Sequence, residues 1–442
     1  MRGEGYLFFG SEQSIFSKSS IDPATVSAAP GSYKLKGYFP HKDPTMLHKN
    51  RLFTPGPTPL LPAAQTAMAS FTAHHRTADF KTLFQRVLAD MKEFIGTKND
   101  VLVLACSGTG VMEASVSNLT SPGDKVLVLT AGKFGERWTG LAKAFGCRVE
   151  ELSAPYGETF SLEDIQKRIS RDVRAVFVQA TESSTGARHD IEGIAKIVRQ
   201  NSDETLLVVD AITGLGTTHL DVDAWGIDII IGGSQKALMM PPGLAYCAVS
   251  DRAWKTMEKA TSPRFYFDLR KERKSAAKGE TAYTPATSLF AALGAALEFV
   301  RGMGKGDLAK GREALVNNAE LCAEMTRAGA KALGLKLYAS APAAALTAIT
   351  SPDGLDSGRI VKEFRECFDA VVANGQGEMK GKLFRIAHIG YYDYLDTIGI
   401  LGALEHVLAR VTDKSIEYGA AVRAAQQIYA RTLSEKRQLV SA

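Results

Sequence analysis

Residues 205–238 read TLLVVDAITGLGTTHLDVDAWGIDIIIGGSQKAL. Two nearly continuous apolar runs stand out, 205–209 and 227–231, rich in Val, Ile and Leu and without polar alternation. Strands of that kind suit a parallel sheet covered by helices on both faces. Each run closes on a group that is costly to bury: Asp210 after the first, and Lys236 behind the Gly232-Gly233 turn after the second. If both strands lie parallel in one sheet, both groups stand at its carboxyl edge, where open α/β sheets collect binding and catalytic residues.

Working outward, further apolar runs at 101–104, 125–129 and 175–178 alternate with amphipathic helical patterns. The segment from Ser161 is one of these, with Ser161 and Asp164 spaced as a capping box. Alternating βα units with short loops predict a doubly wound α/β domain over roughly 65–300. Helices are expected at 288–302 and 311–333. Beyond them the order changes to strand, strand, helix, strand, strand, helix: 335–338, 345–349, 357–368, 370–373, 382–388 and 396–411. That pattern predicts a smaller α+β domain. The expected organisation is therefore an N-terminal arm at 1–50, a large domain at 51–310 whose first segment, 51–65, reaches the active site, a small domain at 311–412 and a helical tail at 413–442. No internal repeat is present.

The composition narrows the function classes. With 442 residues, 45% hydrophobic and 23% charged, the chain has ample material for two cores. A net charge of +5 is mild, and its one basic run, Arg270-Lys271-Glu272-Arg273-Lys274, is interrupted by a glutamate, so nucleic-acid binding is not expected. No apolar run reaches the ~20 residues needed to span a bilayer. The first twenty residues carry Glu4 and Glu12 and make a poor signal peptide. Five dispersed cysteines form no C-x-x-C pair, which predicts free thiols in the cytoplasm, no zinc site and no other metal.

Three strand ends carry the candidate chemistry. Run 101–104 leads into Ala105-Cys106-Ser107-Gly108-Thr109-Gly110 and then a helix, a turn that offers backbone N–H groups and hydroxyls to a phosphate. Taken alone, such a turn serves close packing equally well. Asp210 would suit a cationic ring nitrogen, although a helix-capping aspartate would look the same. Lys236, partly desolvated at a strand end, would have the lowered pKa that imine formation needs. An isolated lysine would be read as a surface residue. The pairing decides between these readings, because Asp210 and Lys236 close successive strands and so face one cleft.

With these motifs the chain resembles the fold-type I, class V aminotransferases, and within them the alanine–glyoxylate and serine–pyruvate branch. Further matches are T-P-G-P at 54–57, T-E-S-S-T-G at 181–186, Y-T-P-A at 283–286 and G-Q-G-E-M-K-G-K-L-F-R-I-A-H-I-G at 375–390, so the resemblance covers about 51–412. It implies a mainly parallel seven-stranded sheet sandwiched by helices, pyridoxal 5′-phosphate as cofactor, and a homodimer with shared active sites. Lys236 would be the Schiff-base lysine and Asp210 the partner of the ring nitrogen. Ser107, Gly108, Thr109 and Gln235 would hold the phosphate, with Thr281 and Thr284 reaching it from the neighbouring subunit. Phe134 would stack on the ring where many relatives carry Trp, Ile212 would press the opposite face, and Ser183 would bond the phenolic oxygen. Arg385 would take the substrate carboxylate, with Pro55 and Gly56 beside it, an inter-domain salt bridge being the alternative role for the arginine.

The implied reaction moves an amino group from alanine, serine or a similar small L-amino acid to glyoxylate or pyruvate in two half-reactions. Aspartate, phosphoserine or 2-aminoethylphosphonate are alternative donors. A cysteine desulfurase would need a mobile cysteine, and Cys367 falls in an amphipathic helix; a non-catalytic relative would not need Asp210, Lys236 and Arg385 together. Two departures from the branch are Gly110, where its members often have His, and the N-terminal extension. His74, His75 and Arg76 form a polar cluster that either borders the pocket or lies on the surface.

Overall fold

In a computed structural model the described residues are 47, 49–413 and 415–441, with side chains described to residue 434. The expected N-terminal arm therefore lies outside the described residues, apart from its last few. The strands in chain order are β1 (Arg51–Phe53), β2 (Asp100–Leu104), β3 (Lys125–Thr130), β4 (Arg148–Ser153), β5 (Val173–Gln179), β6 (Thr181–Glu182), β7 (Ala187–Arg188), β8 (Leu206–Asp210), β9 (Ile229–Gly233), β10 (Ala245–Val249), β11 (Leu346–Thr350), β12 (Ala370–Asn374) and β13 (Leu383–Ala387). Seven of them form one sheet in the order β2-β10-β9-β8-β5-β3-β4. Its pairings are parallel except at β10, which runs antiparallel to both β2 and β9.

The apolar runs build this sheet because both of its faces are covered. Side chains alternate across a strand, and two separate cores result. Val101, Val103, Leu127, Leu129, Val176, Val178, Leu207, Val209 and Ile230 pack on one side with Phe80, Phe84, Phe94 and Phe290. Leu102, Leu104, Val126, Val128, Phe177, Leu206, Val208, Ile229 and Ile231 pack on the other with Trp138 and Trp254. Burying each such side chain stabilises the fold by roughly 1.5–3 kcal/mol.

Two strands of this sheet lie outside the expected apolar runs. β4 lies at the sheet edge and carries the polar alternation of Arg148-Val149-Glu150-Glu151-Leu152-Ser153. β10, Ala245-Tyr246-Cys247-Ala248-Val249, is buried throughout, begins one residue after Pro241-Pro242-Gly243 and runs antiparallel to both neighbours. β9 begins at Ile229, two residues later than the apolar run, because Asp228 is fully buried and takes the Leu207 N–H, Arg199, Ser250 and Arg252. At the expected capping box, Ser161 accepts the Asp164 N–H at 3.3 Å.

The second sheet has the order β1-β12-β13-β11, and its core includes Phe53, Ile349, Phe364, Phe384, Ile386 and Leu404. Two expectations are corrected here. Residues 335–338 form no strand. They meet β11 at the single bridge Leu337–Ile349, and the chain then leaves to bond Gly157 through Ser340 and Arg188 through Ala341. The fourth strand is instead β1, which pairs in parallel with β12, so residues 51–53 belong to this sheet and not to the large one. One helix, Leu308–Ala332, runs across the expected boundary at 310. The final helix, Ala420–Ser441, packs on it. No described helix is long and apolar enough to cross a membrane.

Candidate active site

The carboxyl ends of β2, β8 and β9, together with the loop after β1, enclose a cavity of about 300 Å³. Ser107, Gly108, Thr109, Phe134, Ser183, Asp210, Ile212, Gln235, Lys236 and Gly56 all line it. Ten positions singled out from sequence are thus brought together by the fold.

The turn after β2 places Ser107 at the N-cap of the helix Gly108–Leu119, yet its hydroxyl makes no capping bond to that helix. A Cβ on Gly108 would lie 2.5 Å from Ile212 Cδ1, so any other residue there would push the Ile212 side chain from its place against the turn. The departure at Gly110 also has a local cause: a Cβ there would lie 2.7 Å from Cys106 Cβ and 2.9 Å from Phe267.

Asp210 ends β8 next to β9, is 5% exposed, and accepts the Ile212 N–H at 2.9 Å. Burial pushes its carboxyl up to about 7, against that hydrogen bond and against the positive charges of Lys236 and Arg137. Lys236 is 8% exposed, and its amine donates to the Pro55 carbonyl at 2.5 Å. Burial, with Arg385 and Arg137 adding, pulls it down to about 8, while Asp210 opposes the fall. Such an amine is partly neutral near pH 8 and is available as a nucleophile or base.

Several residues that hold this arrangement were not singled out from the sequence. Thr58, fully buried, donates to the carbonyls of Gln235 and Lys236, pinning the lysine's backbone to the loop after β1. Glu182 is buried and accepts from the N–H groups of Phe134, Gly135 and Ser184 and from the Ser184 hydroxyl, fixing the start of the helix Lys133–Ala144 and with it Phe134. Burial raises the Glu182 carboxyl despite these bonds. Arg137, one helical turn beyond Phe134, lines the cavity as well. Its one available signal was the i, i+3 spacing on a single helix face.

Arg385 on β13 is 4% exposed but does not line the cavity. Its guanidinium donates to the Asn374 carbonyl through Nε and Nη2 and to the Ser183 carbonyl through Nη1. Among the described residues no carboxylate comes within ion-pair distance of it. Burial pulls it down to about 10, with Glu182 opposing. Three of its five N–H groups are engaged, and its carbonyl partner Ser183 is itself a wall of the cavity.

Thr281 and Thr284 are not brought to the Lys236 cavity. They line a separate cleft with Tyr266 and Tyr283, and Thr281 donates to the Tyr283 carbonyl at 2.6 Å. His74 and His75 stack on each other in a loop and do not line the cavity. Cys367 sits on the helix Ser357–Phe368, donates to Glu363 and is pushed up to about 11 by burial, away from the cavity.

The cavity fits a phosphorylated, aromatic aldehyde. Thr181 Oγ1 is buried without a partner in its wall, the turn at Ser107–Thr109 presents a helix N-terminus, and Phe134 and Ile212 offer two apolar surfaces. A mainly parallel α/β sheet with a buried lysine and aspartate at adjacent strand ends, and a helix-opening turn beside them, is the frame of a fold-type I enzyme. The Aminotransferase class-V family model matches residues 55–328, and the chain belongs to that family. The "Soluble hydrogenase, small subunit" of Synechococcus sp. (strain PCC 6716) is 39% identical over 87% of this chain and 99% of that protein. L-aspartate–glyoxylate aminotransferase of Paracoccus denitrificans (strain Pd 1222) is 32% identical over 88% of this chain and 98% of that protein. Among solved structures, a subgroup IV aspartate aminotransferase from Thermus thermophilus superposes with a TM-score of 0.76 at 34% identity, over 82% of this chain and all of that one. Class V aminotransferases are pyridoxal-phosphate enzymes, and this chain is an aminotransferase.

Proposed function

We propose that the cavity holds pyridoxal 5′-phosphate on Lys236, and that the protein moves the amino group of a small L-amino acid such as alanine or serine to glyoxylate or pyruvate. The observation that carries this reading is the buried Lys236 amine, lowered to about 8 and sharing its cavity with the buried Asp210 carboxyl. The cofactor, when bound, supplies the electron sink that acidifies the substrate's α-proton. Lys236 Nζ would move that proton, as base and then acid. Asp210 would hold a proton on the ring nitrogen, a cationic partner for its buried carboxylate. Ser107, Gly108, Thr109 and Gln235 hold the phosphate, Phe134 and Ile212 flank the ring, and Ser183 bonds its phenolic oxygen. Arg385, oriented by the Asn374 and Ser183 carbonyls behind the cavity wall, would bind the substrate carboxylate with its remaining N–H groups, and Pro55 and Gly56 would border the substrate at Lys236 Nζ.

Aspartate is the second donor reading. It is supported by the names of the Paracoccus and Thermus relatives, each similar to this chain over more than four-fifths of its length. The protein acts as a homodimer in the cytoplasm, with Thr281 and Thr284 serving the partner's cofactor phosphate; five free thiols suit a reducing compartment. A half-reaction panel tests the whole reading: each amino acid is added to the purified protein, and loss of the cofactor's near-visible absorbance band is followed. Absence of a band that depends on Lys236, or failure of every amino acid to bleach it, overturns the proposal.

A further inference from the structure

We propose that Arg137 is the cation of the phosphate site, closing the Ser107–Thr109 turn over the cofactor's phosphate from the helix that carries Phe134. This inference rests on the cofactor reading given above. Arg137 Nη1 donates to Thr109 Oγ1 at 3.0 Å, and its guanidinium carbon lies 4.8 Å from the centre of the Phe134 ring. The side chain is thus tied at one end to the phosphate turn and laid along the aromatic group at the cofactor's face.

The local charge balance calls for an anion at this place. The turn itself, Ser107-Gly108-Thr109-Gly110, carries no charged side chain. It opens the helix Gly108–Leu119, whose N-terminus already bears partial positive charge. A guanidinium held against that end is a second positive group. Among the described residues no carboxylate comes within ion-pair distance of it; its neighbour Glu136 is taken by Lys133 and Tyr156. Arg137 is exposed, so solvent screens it in the cofactor-free protein, and a phosphate monoester with nearly two negative charges at neutral pH would pair with both the guanidinium and the helix N-terminus. The influence reaches the chemistry too, because Arg137 lowers the pKa of Lys236 and of Asp210 alike.

The same guanidinium would also suit the distal carboxylate of a dicarboxylic substrate. Its bond to Thr109 in the phosphate turn favours the phosphate, and the two sources separate by experiment. Full-length protein freed of cofactor is titrated with pyridoxal 5′-phosphate and with pyridoxal, which lacks the phosphate, following the Lys236-dependent absorbance band. The titrations compare wild type with Arg137→Gln and Arg137→Lys. For Arg137→Gln the dissociation constant for the phosphorylated form is expected to rise tenfold or more, with that for pyridoxal unchanged within twofold. Arg137→Lys should restore part of the loss, since a point charge replaces the fork. Equal weakening of both ligands, or of neither, overturns the assignment. So does an effect confined to the KM for aspartate over alanine, which would place the anion on the substrate. If wild type itself forms no such band, the cofactor reading fails, and this inference fails with it.

Discussion

Lys236 Nζ donates a hydrogen bond to the carbonyl oxygen of Pro55, a residue 181 positions earlier in the chain. The bond ties the end of β9 in the large sheet to the loop that follows β1 in the small one. The Lys236 amine is therefore positioned by both sheets, and neither one holds it alone. Next to Pro55, Gly56 has φ +151, and a Cβ there would lie 2.6 Å from Nζ.

Gly56→Ala is expected to fail in two ways. Alanine is strained at that φ, costing about 1–3 kcal/mol, and its methyl group collides with the lysine amine. A melting curve should show the loss of stability, and kcat/KM should drop at least tenfold. A variant with wild-type turnover would refute the close approach.

Asp210→Asn separates stability from function through pH. Burial raises the folded carboxyl from its ordinary 3.8 to about 7. Between those values the folded, cofactor-free protein keeps a proton that the unfolded chain has released, so this group's contribution to stability falls as pH rises through the window. Asn carries no such penalty. The cofactor-free variant is expected to be more stable than wild type by about 1–4 kcal/mol above pH 7, with the gap closing towards pH 5, while transamination falls a hundredfold or more. Denaturant melts at pH 5, 6, 7 and 8 check the sign; a gap that widened on acidification would contradict it.

Lys236 has the opposite slope. Its folded value of about 8 lies below the ordinary 10.5. Between those values the unfolded chain holds a proton that the folded one has lost, so stability should rise with pH across that window. Lys236→Met should abolish the rise in cofactor-free protein, and melts between pH 8 and 10 measure it.

Glu182→Ala removes the acceptor of four hydrogen bonds, two from the start of the Phe134 helix and two from Ser184. A loss of about 2–4 kcal/mol is expected from the buried N–H groups left unpaired. Cofactor affinity should weaken along with it, because Phe134 loses its anchor. Unchanged cofactor binding in a folded variant would detach Glu182 from the site.

Arg385→Lys keeps the charge but cannot reproduce the fork held by Asn374 and Ser183. The KM for amino acid donors should rise about a hundredfold, or about 2.7 kcal/mol, while the cofactor band stays intact. Steady-state kinetics beside a spectrum of the same sample settle the outcome.

The residues legible in the sequence are those whose signal is local. Apolar runs without alternation announced β2, β3, β5, β8 and β9, because a strand covered on both faces needs an apolar residue at every position. Asp210 and Lys236 were readable because each closes such a run, and strand direction sends both to one edge. β4 was not, since an edge strand with one solvated face has no reason to be apolar. Residues 335–338 carried the pattern but not the pairing.

What only the tertiary structure decided are the contacts between residues far apart in the chain. β1 joined the second sheet because its partner is β12, more than 300 positions away. Thr58 holds Lys236, Glu182 holds Phe134, and Arg137 reaches Thr109, each through a partner no local pattern names. Burial, too, exists only in the folded chain, and it is burial that moves Asp210 to about 7 and Lys236 to about 8. The sequence by itself determined which groups stand at the strand ends; their shifted pKa values came from the water the folded chain excludes around them.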